Sequence, residues 1–201
     1  MSQLVYDRLT NNIPEVHRLV SEIHACQSCP LYQSCTRKVP GSGPIPADIM
    51  FVGEAPGEME DLQGIPFVGP AGQLMNRAIE AVGWKREEIY ITNVIKCRPP
   101  KNRTPQVEEI AKCHRFILRE IELVKPKVLI CWGSTAAKTL IHPDFKMAED
   151  HGKRFSSPDG YEMFGVYHPA YLLRLEQYDP QKAIEAKWKV FNVLQEAKKI
   201  L

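Results

Sequence analysis

Apolar residues recur at helical spacing from Ile13 to Ala25, where Ile13, Val16, Leu19, Val20 and Ile23 share one face. After a loop bearing Gly41, Gly43, Pro44 and Pro46, the run Ile49-Met50-Phe51-Val52 predicts a short buried strand ending at Gly53. Ala71 to Val82 returns to the helical period, with Gly83 as its stop. Ile89 to Val94 is β-branched and aromatic and predicts a second strand. Thr104-Pro105 then signals a helix start, with Thr104 as N-cap, and the helix runs to about Val124, before Pro126. Val128 to Trp132 is a third strand, Ser134 to Ile141 a short helix, Tyr161 to Tyr167 a fourth strand and Gln181 to Lys198 a last helix. Strands alternating with helices predict an α/β fold: three layers, α/β/α, around a mainly parallel sheet of four strands. Ligands of such sheets bind at the carboxyl ends of the strands. The least ordinary segments follow the first, second and fourth strands.

No repeat, low-complexity stretch or long linker divides the 201 residues, so residues 1–201 read as a single domain. No apolar run approaches the roughly 20 residues of a membrane span. The opening MSQLVYDRLTNN places Asp7 and Arg8 among polar residues and has no apolar signal core, which predicts a cytoplasmic, intracellular protein without a membrane partner. A formal net charge of only +2 provides no global field for nucleic acid, so any such contact must come from a local patch.

Six cysteines in a reducing compartment point to metal, cluster or core roles rather than to disulfides. Cys26 and Cys29 form a CxxC, whose short turn brings two sulfurs to one side. Cys97 and Cys113 form a second pair, and Cys35 is a further possible ligand. Four thiolates suit tetrahedral zinc or a [4Fe–4S] cluster, and spacing alone does not separate them. Cys131, inside an apolar strand, reads as core, and Cys113 alone would read the same way beside Ile110 and Ile117.

Four segments change the picture. They are Gly53-Glu54-Ala55-Pro56-Gly57-Glu58 after the first strand, Gly64-Ile65-Pro66-Phe67-Val68-Gly69-Pro70-Ala71-Gly72, the stretch from Asn93 to Arg103, and His168-Pro169-Ala170-Tyr171-Leu172-Leu173-Arg174. In this order and with this cysteine spacing they closely resemble the iron–sulfur uracil-DNA glycosylases, family 4 of that superfamily. The resemblance implies a uracil-DNA glycosylase-like fold and a hydrolase that flips uracil out of DNA and cuts its N-glycosidic bond. An abasic site and free uracil would be the products, as in base-excision repair. It also implies a structural [4Fe–4S] cluster on Cys26, Cys29, Cys97 and Cys113, with Cys35 and Cys131 left over, in a protein acting as a monomer.

The resemblance further implies that Phe67 stacks on the extruded base and that the Asn93 amide reads it, with Gly53 and Ala55 lining the pocket. An amide both accepts from N3–H and donates to O4, a pattern that cytosine reverses. His168 would donate to O2 of the leaving base, stabilising charge as the sugar becomes cationic. Glu54 would position water or hold the turn, with Asn102 assisting. Ala55 stands where a better-known branch of the superfamily has an aspartate, which argues against direct carboxylate general-base catalysis. The acidic run Glu58, Glu60 and Asp61 reads as a solvated loop.

Lys96, Arg98, Lys101 and Arg103, interrupted by Pro99 and Pro100, form a stiff basic loop suited to phosphates. Leu172, Leu173 and Arg174 resemble a loop entering the minor groove, one leucine filling the vacated space. The alternative reading is a cluster- or zinc-stabilised nucleic-acid-binding module without catalysis. Such a module would not need Phe67, Asn93 and His168 behind one pocket.

Overall fold

A computed structural model describes residues 13–201, so the opening segment read above for a signal core lies outside the described residues. The sheet is built from β1 (Ile49–Gly53), β2 (Ile89–Asn93), β3 (Val128–Trp132), β4 (Arg154–Ser156) and β5 (Glu162–Val166), in the order β2-β1-β3-β5-β4. All neighbours run parallel except β4, which is antiparallel to β5. β1, β2 and β3 are buried at every position, as expected of parallel strands covered on both faces.

The helices are α1 (Pro14–Ala25), α2 (Glu58–Gln63), α3 (Pro70–Ala81), α4 (Val107–Val124), α5 (Ser134–Leu140), α6 (Met147–Asp150), α7 (Pro169–Tyr178) and α8 (Pro180–Lys198). Leu74, Met75 and Ile79 of α3, Leu172 of α7 and Val190 and Leu194 of α8 pack on one face of the sheet with Phe51, Ile91 and Ile130. Ile117 and Ile121 of α4 and Ala136 and Ala137 of α5 cover the other face with Met50, Val52 and Leu129. Leu19 and Ile23 of α1 pack on Phe116 of α4, with Cys113 and Leu123 of the same helix beside them.

The chain leaves β1 through α3 on one face to reach β2, then returns through α4 on the opposite face to β3, beyond β1. Strand order therefore reverses at β1, which opens a crevice at the carboxyl ends of the strands. Gly53 lies opposite Asn93 in register at that end, and Val166, two residues before His168, lies opposite Trp132.

Three features depart from the sequence expectation. A fifth strand, β4, joins the sheet; its three residues are mostly exposed and polar and carry no period to detect. α4 starts at Val107, not at Thr104-Pro105, because the cap is supplied two residues later by Gln106. There Glu109 accepts from the Gln106 backbone N–H at 2.7 Å. The segment read as a DNA-entering loop is the helix α7, with Leu172 3% exposed and packed in the core. Leu172 therefore cannot be the wedge, because its helical position turns it onto the sheet.

Candidate active site

β1 and β2 end side by side, and the pairing continues past both strands. Val94 N–H donates to Gly53 O at 2.9 Å and Ile95 N–H to Glu54 O at 3.2 Å, which fixes the backbone that carries Glu54. Gly53 packs so closely that a methyl group in place of its hydrogen would overlap both the Phe67 ring and Asn93 Oδ1. Gly53, Phe67 and Asn93 thus meet at one point. The Phe67 and His168 rings lie 5.9 Å apart, centre to centre, so all four residues share the crevice.

Phe67 is held in an unusual shape. Its φ is 53°, a left-handed conformation uncommon for a bulky side chain. The following helix packs onto it so tightly that a Cβ at Gly72 would collide with the Phe67 carbonyl. Glu60 supplies the restraint, accepting from the backbone N–H groups of Val68 at 2.9 Å, Gly69 at 2.8 Å and Gly57 at 3.1 Å. Asp61 likewise accepts from the N–H groups of Thr36 and Arg37. Both carboxylates are buried, so the acidic run is not a solvated loop. It forms α2 and clamps two loops, a role that sequence reasoning missed because the partners are distant backbone amides.

Asn93 is 1% exposed, and its Oδ1 is buried without a hydrogen-bond partner among the described residues. A buried acceptor left unpaired costs about 1–3 kcal/mol, so such groups call for an explanation. An incoming N–H donor supplies one.

His168 caps α7. Its Nδ1 accepts from Ala170 N–H at 3.1 Å, with Pro169 in the first helical position. Since Nδ1 is the acceptor, the neutral ring carries its proton on Nε2. Burial pushes its pKa down to about 4, with the Arg174 charge adding to the shift, so the ring is a neutral N–H donor at pH 7. Because the ring belongs to a helix N-terminus, the positive end of the α7 dipole lies beside it and favours developing negative charge.

Glu54 accepts a short hydrogen bond from the Thr135 hydroxyl on α5. If this carboxylate orients water or an oxocarbenium-like sugar, Glu54→Gln should slow base release by about 10²-fold, at the low end of acid–base contributions. Thr135→Val should cost about tenfold, the equivalent of one hydrogen bond to a charged group. Single-turnover rates on a uracil-containing oligonucleotide measure both, and unchanged rates would remove Glu54 from the machinery.

The basic loop is less free than its sequence suggests. Lys96 is buried, with its side chain 2% exposed, and cannot meet a phosphate. Arg98 donates to Asn102 Oδ1 at 2.7 Å and pairs with Glu58 at 3.5 Å. Arg103 grips Glu109 with two bonds of 2.9 and 2.6 Å. Lys101 and Asn102 are exposed in left-handed conformations. Asn102 makes no hydrogen bond to Glu54 or His168 among the described residues. On α7, Tyr171 and Arg174 are exposed and Leu173 is half-buried.

Cys26, Cys29, Cys97 and Cys113 line one pocket with Ile23, Leu31 and Phe116. Burial pushes the thiols of Cys29, Cys97 and Cys113 up, Cys113 to about 11, and Cys35 adds to the shift at Cys97. At Cys26 burial acts the same way, but hydrogen bonding with Ser28 and Arg115 outweighs it and lowers the pKa. Lys38 and Lys112 also border the pocket and would offset the charge of bound thiolates, whereas the Lys96 ammonium is already paired with Glu120. Among the described residues, no three His, Cys, Asp or Glu side chains converge tightly enough to hold a single metal ion. Cys131 is fully buried in β3.

A model of the uracil DNA glycosylase superfamily matches residues 40–195. The chain is 42% identical over 170 residues to the type-4 uracil-DNA glycosylase of Archaeoglobus fulgidus, covering 81% of this chain and 83% of that one. The type-4 uracil-DNA glycosylase of Thermotoga maritima is 41% identical over 80% of this chain and 84% of its own. A type-5 uracil-DNA glycosylase of Pyrobaculum aerophilum is only 29% identical, over 83% of each.

Proposed function

Because this chain belongs to the uracil DNA glycosylase superfamily, and within it to the type-4 glycosylases, we propose that it excises uracil from DNA by hydrolysing the N-glycosidic bond. The observation that carries this reading is the meeting of Phe67, Asn93 and His168 around Gly53, with an unpartnered amide oxygen facing the gap. The extruded base stacks on Phe67, and Asn93 Oδ1 accepts from N3–H. His168 Nε2–H donates to O2 as the bond stretches, and the ring stays neutral because burial opposes a second proton. Glu54, braced by Thr135, faces the cationic sugar or its water. A binding module without catalysis has no use for this set of groups.

The four cysteines that line one pocket would hold a [4Fe–4S] cluster, as a cubane binds each thiolate on a separate iron, and the type-4 relatives favour it over a zinc ion. When bound, the cluster would pin α1, α4 and the residue 97 turn together; hydrolysis needs no electron from it. Cys113→Ala should therefore lose the brown colour and most of the iron. It should melt several degrees lower, since a structural metal site contributes directly to folding. A colourless wild type carrying one zinc per chain would refute the cluster.

In this reading the protein works inside the cell as a monomer on uracil-containing DNA, which Lys101, Arg98, Arg103, Leu173 and Arg174 contact, and it releases free uracil and leaves an abasic site. Incubation with a uracil-containing oligonucleotide, followed by alkali, tests the activity. Strand cleavage at uracil, absent from the thymine control, is the expected result, and an intact strand overturns it.

A further inference from the structure

Lys96 and Glu120 form an ion pair at 2.6 Å in which the side chains are 2% and 0% exposed. Every polar atom in it is engaged. The Lys96 ammonium donates to Glu120 Oε2 at 2.6 Å, Thr92 Oγ1 at 2.7 Å and the Asn93 carbonyl at 2.7 Å, which uses all three of its protons. Glu120 also accepts from the Thr92 hydroxyl at 2.9 Å and from Gly41 N–H at 2.9 Å. Replacing a buried ion pair with apolar residues is often neutral or stabilising, so stability alone does not account for this one. Its location does. One proton goes to the backbone of Asn93, whose unpartnered Oδ1 lies beside Gly53 and the Phe67 ring.

The other end of the pair reaches the cysteines. Lys96 precedes Cys97 and lines the cysteine pocket together with Cys113. Glu120 lies seven residues after Cys113, two turns along the same side of α4. We infer that the Lys96–Glu120 pair is a positioning device that holds Asn93 from beneath and ties its placement to the cysteine pocket. The inference rests on the uracil-reading role proposed above for Asn93. Lys96 acts through Asn93 and touches no substrate.

A double-mutant cycle tests it. K96M/E120Q removes the ammonium but leaves an amide oxygen for Gly41 N–H. With Asn93 present, it should lower the single-turnover rate on a uracil-containing oligonucleotide about 10- to 100-fold, the scale of a misplaced reacting group. In an N93A background the same change should cost little, because the residue it positions is gone. Iron content and melting temperature should stay near those of the matched parent. If K96M/E120Q does not fold, Thr92→Val, with Thr92→Ser restoring the hydroxyl, carries the same cycle. An equal loss in both backgrounds, no loss with Asn93 present, or a loss that tracks iron content would overturn the inference. A wild type inert on uracil-DNA would overturn the glycosylase reading and this inference with it, whereas an additive cycle on an active wild type overturns this inference alone.

Discussion

His168→Ala should reduce uracil release by about 10²- to 10³-fold, the scale of losing one preorganised donor to a developing anion. Binding of uracil-containing DNA should change far less, because the ring's contribution grows only as charge builds on O2. The pH profile is the more particular signature. With its pKa depressed to about 4, the ring is neutral throughout the physiological range, so activity should show no inflection near the ordinary histidine value of about 6.5. It should fall only as pH approaches 4, where the ring becomes doubly protonated and releases Ala170 N–H. Stability follows the same direction. Between about 6.5 and 4 the unfolded chain takes up the proton more readily than the folded one, so lowering pH through that window destabilises the protein. A wild-type rate that falls as pH rises through about 6.5, with that step lost in the variant, would mean that the working form is the imidazolium.

The second large effect belongs to Asn93. A site built to satisfy a polar pattern rejects the analogue that lacks it by about 10⁴- to 10⁵-fold, since the mismatch leaves buried groups unpaired. Asn93→Ala should therefore slow uracil excision by about 10²-fold or more while leaving DNA affinity nearly intact. Asn93→Asp should go further, because a carboxylate cannot donate to O4 and can accept from the amino group of cytosine. The measurement is the ratio of uracil to cytosine release from matched oligonucleotides, and it should fall steeply in Asn93→Asp. A ratio unchanged from wild type would move base recognition to another residue.

Much of this architecture could be read from the chain. Val128 to Trp132 and Ile49 to Val52 were legible as strands because buried parallel strands are unbroken β-branched and apolar runs. The meeting of Gly53, Phe67 and Asn93 was implied by the resemblance to the family 4 glycosylases. What escaped were groups whose surroundings come from far along the chain. Glu60 and Asp61 look like surface acids until the amides of residues 36–37 and 68–69 fold onto them. Lys96 looked like part of a basic loop because its partner, Glu120, lies 24 positions away. Leu172 and Leu173 are adjacent and equally apolar, and only the phase of α7, set by its start at Pro169, turns the first inward. That start was itself encoded: a histidine before a proline can serve as N-cap, and the same bond that caps the helix selects the tautomer.

The segment from Cys26 to Lys38 contains only one short helical turn, Pro30–Gln33, and adds no strand to the sheet. Apart from its thiols, it is anchored to the body by Leu31, buried in the core, by the carboxylate of Asp61 and by the Val39–Lys96 backbone bond that follows it. If the proposed cluster fills the cysteine pocket, iron starvation would strike the protein as an architectural injury, loosening this segment beside an otherwise intact sheet. On that proposal the cell's supply of assembled clusters would set how much repair capacity survives, without any electron changing hands.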